Sequence, residues 1–208
     1  MPFTTAALHA PAGERLVTAG GDVPEVRIHG PDGRLTARYT VLRDPVAPSP
    51  AEVRGLVDHW VEKRYYGAPS TVRNEWLDRM PIPERRPAYD RLRVSASGHI
   101  WARHYLLESD PAATPRWDVF ALGGEYLGVV DTPPGLEITT ILDHAVAGVF
   151  RDSLDVEYVR VHRLSTGPSD PSVPVTRIDS PEPNARVSAR TVRVSVAHRR
   201  GDSGSQNR

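Results

Sequence analysis

From Thr4 to Leu42 short alternating apolar segments are separated by turn residues: TTAALHA, Ala12-Gly13-Glu14, RLVTA, Gly20-Gly21-Asp22, EVRIHG, Pro31-Asp32-Gly33 and RLTARYTVL. This punctuation constrains the fold more than any other feature. Residues that alternate in and out have the period of a strand, and Gly-Gly or Asp-Gly between two such runs supplies the positive φ of a tight hairpin at no steric cost. Four strands in about forty residues make one antiparallel meander, the size of a propeller blade.

The device is interrupted once. Ser49-Pro50-Ala51-Glu52 offers an N-cap serine, a proline at the first helical position and a capping-box glutamate. Behind it Val53, Leu56, Val57, Trp60 and Val61 recur at helical spacing, which predicts a helix over about 50–66 with these side chains on its buried face. Gly67-Ala68-Pro69-Ser70 ends it. Ser70 starts a shorter helix with Val72, Trp76, Leu77 and Met80 on one face, stopped by Pro81 and Pro83. The expected helical hairpin covers about 49–80.

Strands resume from about Ala88 to Leu164. RLRVSASGHIWARHYL turns at Ser97-Gly98, WDVFALGGEYLGVV turns at Gly123-Gly124, LEITTIL leads to HAVAGVF, and Arg151-Asp152-Ser153 leads to VEYVRVHRL. Gly33 and Gly124 hold matching places between an apolar strand and its successor, 91 residues apart. That spacing is about two blades of 40–45 residues, with the helical insertion filling much of one. The expected fold is mainly β: a partial β-propeller of about three antiparallel blades over 3–164 with the inserted hairpin. Residues 165–208 are rich in Pro, Ser, Asp and Arg, a composition that favours a disordered tail, although RVSARTVRVSVAHR has the pattern of one more strand.

Composition narrows the chemistry. The 26 basic and 26 acidic side chains cancel, so no net field selects nucleic acid or an anionic membrane as partner. With no cysteine in 208 residues, disulfides, thiolate metal sites and a cysteine nucleophile are excluded. The N-terminus lacks a basic start followed by an apolar core, and no run reaches the roughly 20 apolar residues of a membrane span. As written, the chain is expected in the cytoplasm, or outside it if an upstream half carries a signal peptide.

PAYDRLRVSASGHIWARHY, RWDVFALGGEYLGVVDTPPGLEITTI and AVAGVFRDSLDVEYVRVHRL resemble the closing blades of bacterial six-bladed β-propeller proteins of the NHL-like kind. The resemblance covers about Phe3 to Leu164. The family pattern in these places is a Pro-x-Tyr lead, a strand ending in an Asp-x-x-Gly-x-Leu-Trp-Val turn, a Trp-x-Val-Phe-Asp strand with an Asp-Gly turn and Tyr-Leu-Gly after it, and an Arg-Asp-x-Leu-x-Val-Glu-x-Val ending. The chain departs from the pattern at Ser97-Gly98-His99, Leu122-Gly123-Gly124 and Asp143-His144-Ala145. A closed six-bladed ring takes about 250–300 residues, so this sequence supplies about half of one. Half a ring exposes strand edges, which implies a longer product, self-association or a partner.

Catalytic signatures are sparse. His99 and His104 lie five apart in an alternating strand and point to opposite faces, which separates them as ligands, with Glu108 nearby. Asp143, His144, Arg151 and Asp152 form the better polar group, flanking short strands where propeller loops meet a channel; loop polarity is the simpler account. Asp152, Asp155 and Glu157 lack the spaced acidic-glycine loop of a calcium site, so turn and cap roles are expected. Ser165 in Ser165-Thr166-Gly167 and Ser205 in Gly204-Ser205 lack a nucleophile elbow, and Gly20-Gly21-Asp22 lacks the lysine of a phosphate loop. Trp101, Trp117, Tyr89, Tyr126 and Tyr158 are expected to anchor packing between blades.

No catalytic residue, cofactor or metal ligand is assigned from sequence. The expected function is non-catalytic binding or scaffolding of an unidentified ligand or protein. The alternative is a metal-dependent, lactonase-like hydrolase or lyase whose site is completed by further blades.

Overall fold

The computed structural model describes residues 3, 7–65, 67, 69–107, 109–110, 112–152 and 154–164, with the short pieces 166–167, 175–178, 186–187 and 193–194. Three antiparallel meanders follow in chain order. The first is β1 (Leu8–Ala12), β2 (Arg15–Ala19), β3 (Glu25–His29) and β4 (Leu35–Val41). After two helices, α1 (Pro50–Arg64) and α2 (Ser70–Arg79), the second is β5 (Tyr89–Val94), β6 (Ile100–His104), β7 (Arg116–Phe120) and β8 (Tyr126–Asp131). The third is β9 (Leu136–Ile141), β10 (Ala145–Arg151) and β11 (Glu157–Arg163). The fold is thus mainly β, three blade-like sheets with a helical insertion, as the sequence predicts.

The described pieces that follow join the first two sheets. β13 (Val175–Ile178) pairs with β4 and with β14 (Arg186–Val187), and β15 (Arg193–Val194) pairs with β8 and with β12 (Thr166–Gly167). The expectation of a disordered tail otherwise lies outside the described residues.

The sheets stack in series, and strand alternation explains how. In the middle sheet Ile100, Ala102, Phe120 and Tyr126 face one way, joining Val17, Val26, Ile28, Tyr39 and Val41 of the first sheet in one core. Trp101, Trp117, Val119 and Val130 face the other way, packing with Leu136, Ile138, Ile141 and Val146 of the third. A sheet covered on both faces carries near-continuous apolar strands, which is why IWA runs without a polar residue and WDVF is broken only by Asp118. Trp101 and Trp117 meet edge to face, 6.2 Å between centroids.

One turn recurs in all three sheets. Gly30 N–H donates to the Arg34 carbonyl at 2.9 Å and Gly33 N–H back to the Gly30 carbonyl at 2.9 Å. The same two bonds close Ser95–His99, Ala121–Glu125 and Asp152–Val156. The fourth residue of each loop has a left-handed backbone: φ is 76° at Gly33, 84° at Gly98, 101° at Gly124 and 61° at Asp155. This is a type I turn closed by a left-handed residue, a geometry that matches strand twist. Gly33 and Gly124 do hold equivalent places, and Asp155 fills the glycine position of the fourth loop.

The capping box forms as expected: Ser49 Oγ accepts from Glu52 N–H at 3.2 Å and the Glu52 carboxylate from Ser49 N–H at 2.7 Å. Val53, Leu56, Val57 and Val61 are buried, whereas Trp60 at the edge of that face is half-buried beside Leu77, Met80, Tyr105 and Leu107. The face of α2 carrying Val72, Trp76, Leu77 and Met80 is half-buried throughout, and its N-cap is Pro69. Among the expected packing anchors Tyr158 differs: it is 45% exposed, because β11 ends its sheet and no further sheet covers it among the described residues.

Candidate functional site

The middle sheet buries one charge. Asp118, at the centre of β7, is 1% exposed. It lies on the face toward the first sheet, and each of the other three strands of the meander sends it a partner. Tyr89 on β5 donates its hydroxyl to Oδ2 at 2.7 Å, and Tyr126 on β8 donates to Oδ1 at 3.1 Å. His104 on β6, directly opposite Tyr89 in the ladder, places Nε2 3.0 Å from Oδ1. Arg43, two residues beyond β4, brings Nη1 to 3.4 Å from Oδ2 and lies against the His104 ring, 3.1 Å from Nδ1 and 2.6 Å from Nε2.

Burial by itself would push the Asp118 carboxyl up. The hydrogen bond and charge of His104, the charge of Arg43 and the Tyr89 hydrogen bond outweigh it and hold the carboxyl below its ordinary value. The tyrosines shift the other way. Burial first, then the adjacent carboxylate, raises Tyr89 and Tyr126 well above the usual phenol range, so both remain donors at neutral pH.

Beside the cluster a cleft of about 200 Å³ opens between the β2–β3 turn, the segment after β4 and the approach to β5. Its walls include Arg43 and His104 from the cluster, with Asp22, Asp44, Arg86 and Tyr105. Arg86 is held by Glu52 of the helix capping box at 2.6 Å, and Asp22 lies 3.4 Å from Arg85, so the helical insertion braces the rim.

The residues singled out from sequence lie elsewhere. Asp143 and His144 sit in the β9–β10 turn and Arg151 and Asp152 at the far end of β10, so a seven-residue strand, roughly 20 Å, separates the pairs. They do not form one cluster. Asp152 caps its turn, accepting from Leu154 N–H at 2.9 Å and Val156 N–H at 3.0 Å, bonds that lower its pKa. Arg151 lies 2.6 Å from Glu157 and 3.4 Å from Asp155, occupying the acids that a calcium ion would need and raising its own pKa. His99 belongs to the Ser95–His99 turn, Nδ1 3.3 Å from Ser97 Oγ, at the opposite end of β6 from His104. Glu108 and Ser205 lie outside the described residues, as does Ser165.

Asp118 and Arg43 went unremarked in the sequence, yet one signal was present. RWDVFAL sets a carboxylate inside an apolar strand, and a charge there needs compensation wherever both sheet faces are covered. Among the described residues no three His, Asp or Glu groups converge to hold a metal, and no helix is long and apolar enough to cross a membrane. Comparison with protein-family models, with curated proteins and with solved structures found no match.

Proposed function

We propose that the chain is a non-catalytic binding or scaffold protein of the β-propeller kind, similar to the bacterial six-bladed NHL-like proteins whose sequence words it carries. The observation that supports this reading is the enclosure of Asp118 among four compensating partners. Tyr89 and Tyr126 each donate a hydrogen bond to one carboxylate oxygen, His104 stands at Oδ1 and Arg43 forms an ion pair at Oδ2, so the charge is compensated and the carboxylate is held in its weakly basic, ionised form. Tyr89 and Tyr126 hold their protons for the reasons given above. The buried charge therefore acts as a tie, joining the four strands of the middle sheet to Arg43 and fixing one wall of the cleft. A rigid cleft walled by loops of adjacent sheets suits the holding of a ligand or partner segment. Further blades, from a longer polypeptide or a second chain, would complete the ring.

The test is a hydrolysis assay of the full chain with aryl esters and lactones, with calcium or zinc added, alongside metal analysis of the purified protein. Turnover at the protein-free rate and substoichiometric metal are expected. Stoichiometric metal together with turnover that disappears in His104→Ala would overturn the reading in favour of a metal-dependent hydrolase.

A further inference from the structure

β11 ends the third sheet, and the described pieces of the following chain pair with β4 and β8 instead. Its backbone polarity follows from its register with β10. Leu164 N–H donates to the His144 carbonyl at 2.7 Å and Asp152 N–H to the Val156 carbonyl at 3.1 Å. These bonds bracket the pairs Val146–His162, Gly148–Arg160 and Phe150–Tyr158, which therefore exchange hydrogen bonds. The residues between point their N–H and C=O groups away from β10, so Glu157, Val159, Val161 and Arg163 present theirs at the open edge. The side chains of the same four residues share one face. Val159 is 80% and Val161 66% exposed, beside half-buried Val149 and Ala147 of β10.

Read along that edge, the order acid, valine, valine, base is complementary to itself when reversed. We propose that the protein pairs with a second copy of itself along β11, antiparallel, with Glu157 opposite Arg163 and Val159 opposite Val161 of the second copy. Every outward N–H and C=O of the four residues then meets its counterpart. The valines join into a stripe running from Val149 of one copy to Ala147 of the other, and an ion pair closes each end, where Glu157 is shared between Arg151 of its own chain and Arg163 of the second copy. Such an interface is isologous and closes on itself.

The single like-charge contact falls on Arg160, which meets its own copy on the two-fold axis. Its guanidinium is drawn back over the Phe150 ring of β10, 3.6 Å from the centroid, and so leans away from the edge. A shift of one residue sets outward groups against inward ones, and a shift of two separates Glu157 from Arg163, leaving Arg163 in one direction only Asp155, which lies outside β11 in a left-handed turn, so the pattern favours one register. The inference is independent of what the cleft binds.

Sedimentation velocity of the full chain over a concentration series tests it, with a discrete dimer expected. Arg163→Glu sets acid against acid at both ends and is expected to weaken the dimer roughly tenfold. Adding Glu157→Arg to that variant restores opposite charges and is expected to recover much of the loss. Val161→Pro removes an outward donor without touching the β10 ladder, so it is expected to give monomers with unchanged far-ultraviolet circular dichroism. A monomeric wild type overturns the proposal, whatever covers the edge. So do a dimer indifferent to Arg163→Glu and an Arg163→Glu defect that Glu157→Arg leaves unrepaired.

Discussion

Asp118 shows how one buried carboxylate organises its surroundings and what it costs to remove. Asp118→Asn keeps the shape but discards the charge on which His104, Arg43 and both tyrosine hydroxyls converge, and is expected to destabilise the fold by about 3 kcal/mol at neutral pH. The pH dependence carries the signature. The carboxyl has a lower pKa folded than unfolded, so its contribution is complete above the ordinary carboxylate value near 4 and is lost as pH falls through the folded value. The gap in melting temperature between wild type and Asp118→Asn should therefore be widest near neutrality and narrow below about pH 4. A gap that stays constant into acid would mean that the charge is not what the cluster stabilises. The carboxylate was visible in RWDVFAL, but its partners were not, because Arg43 stands 75 residues away and only sheet stacking brings it near.

At the scale of the elements, the repeated turn links sequence to fold most directly. Gly33, Gly98 and Gly124 could be read as turn glycines because glycine is the residue that visits positive φ freely. Asp155 could not, since aspartate signals a turn without saying which position it takes. Asp155→Gly should relieve that backbone and raise the melting temperature by roughly 2 °C, the loss of an exposed contact to Arg151 weighing little. Asp155→Val should lower it, since a β-branched residue is a poor fit at positive φ. Equal melting temperatures for the two variants would show that the loop relaxes freely.

The inserted helix was legible from its cap and spacing, but periodicity names a face without ranking the residues on it. Leu56→Ala is expected to cost about 2–5 kcal/mol by urea denaturation, and Trp60→Ala, at the half-buried edge, distinctly less. The reverse order would place the packing seam on the other side of the helix. The polar group expected from Asp143, His144, Arg151 and Asp152 dissolved for a related reason. Closeness in sequence suggested a shared rim, whereas an extended strand holds its two ends apart.

For the molecule as a whole, the question is how tightly the sheets depend on one another, and Gly124 lies at the contact between the first two. A Cβ on Gly124 would fall 2.1 Å from the ring of Tyr39, which is buried in the shared core on β4. At Gly33, in the same turn of the first sheet and with similar backbone, a Cβ would meet nothing within 4 Å. The two glycines thus separate a local cost from a global one. Gly33→Ala should cost only the left-handed backbone penalty, about 1 kcal/mol. Gly124→Ala pays the same penalty and also drives a methyl group into Tyr39, adding about 1–3 kcal/mol of overpacking and pushing the sheets apart. Trimming the ring in Tyr39→Leu should recover part of that second cost in the double variant, so the two substitutions are expected to be non-additive by more than 0.5 kcal/mol. Denaturant unfolding of both singles and the double measures this coupling. If the Gly124→Ala and Tyr39→Leu effects simply add, the Tyr39 ring does not press on the turn, and the first two sheets are not coupled through that contact.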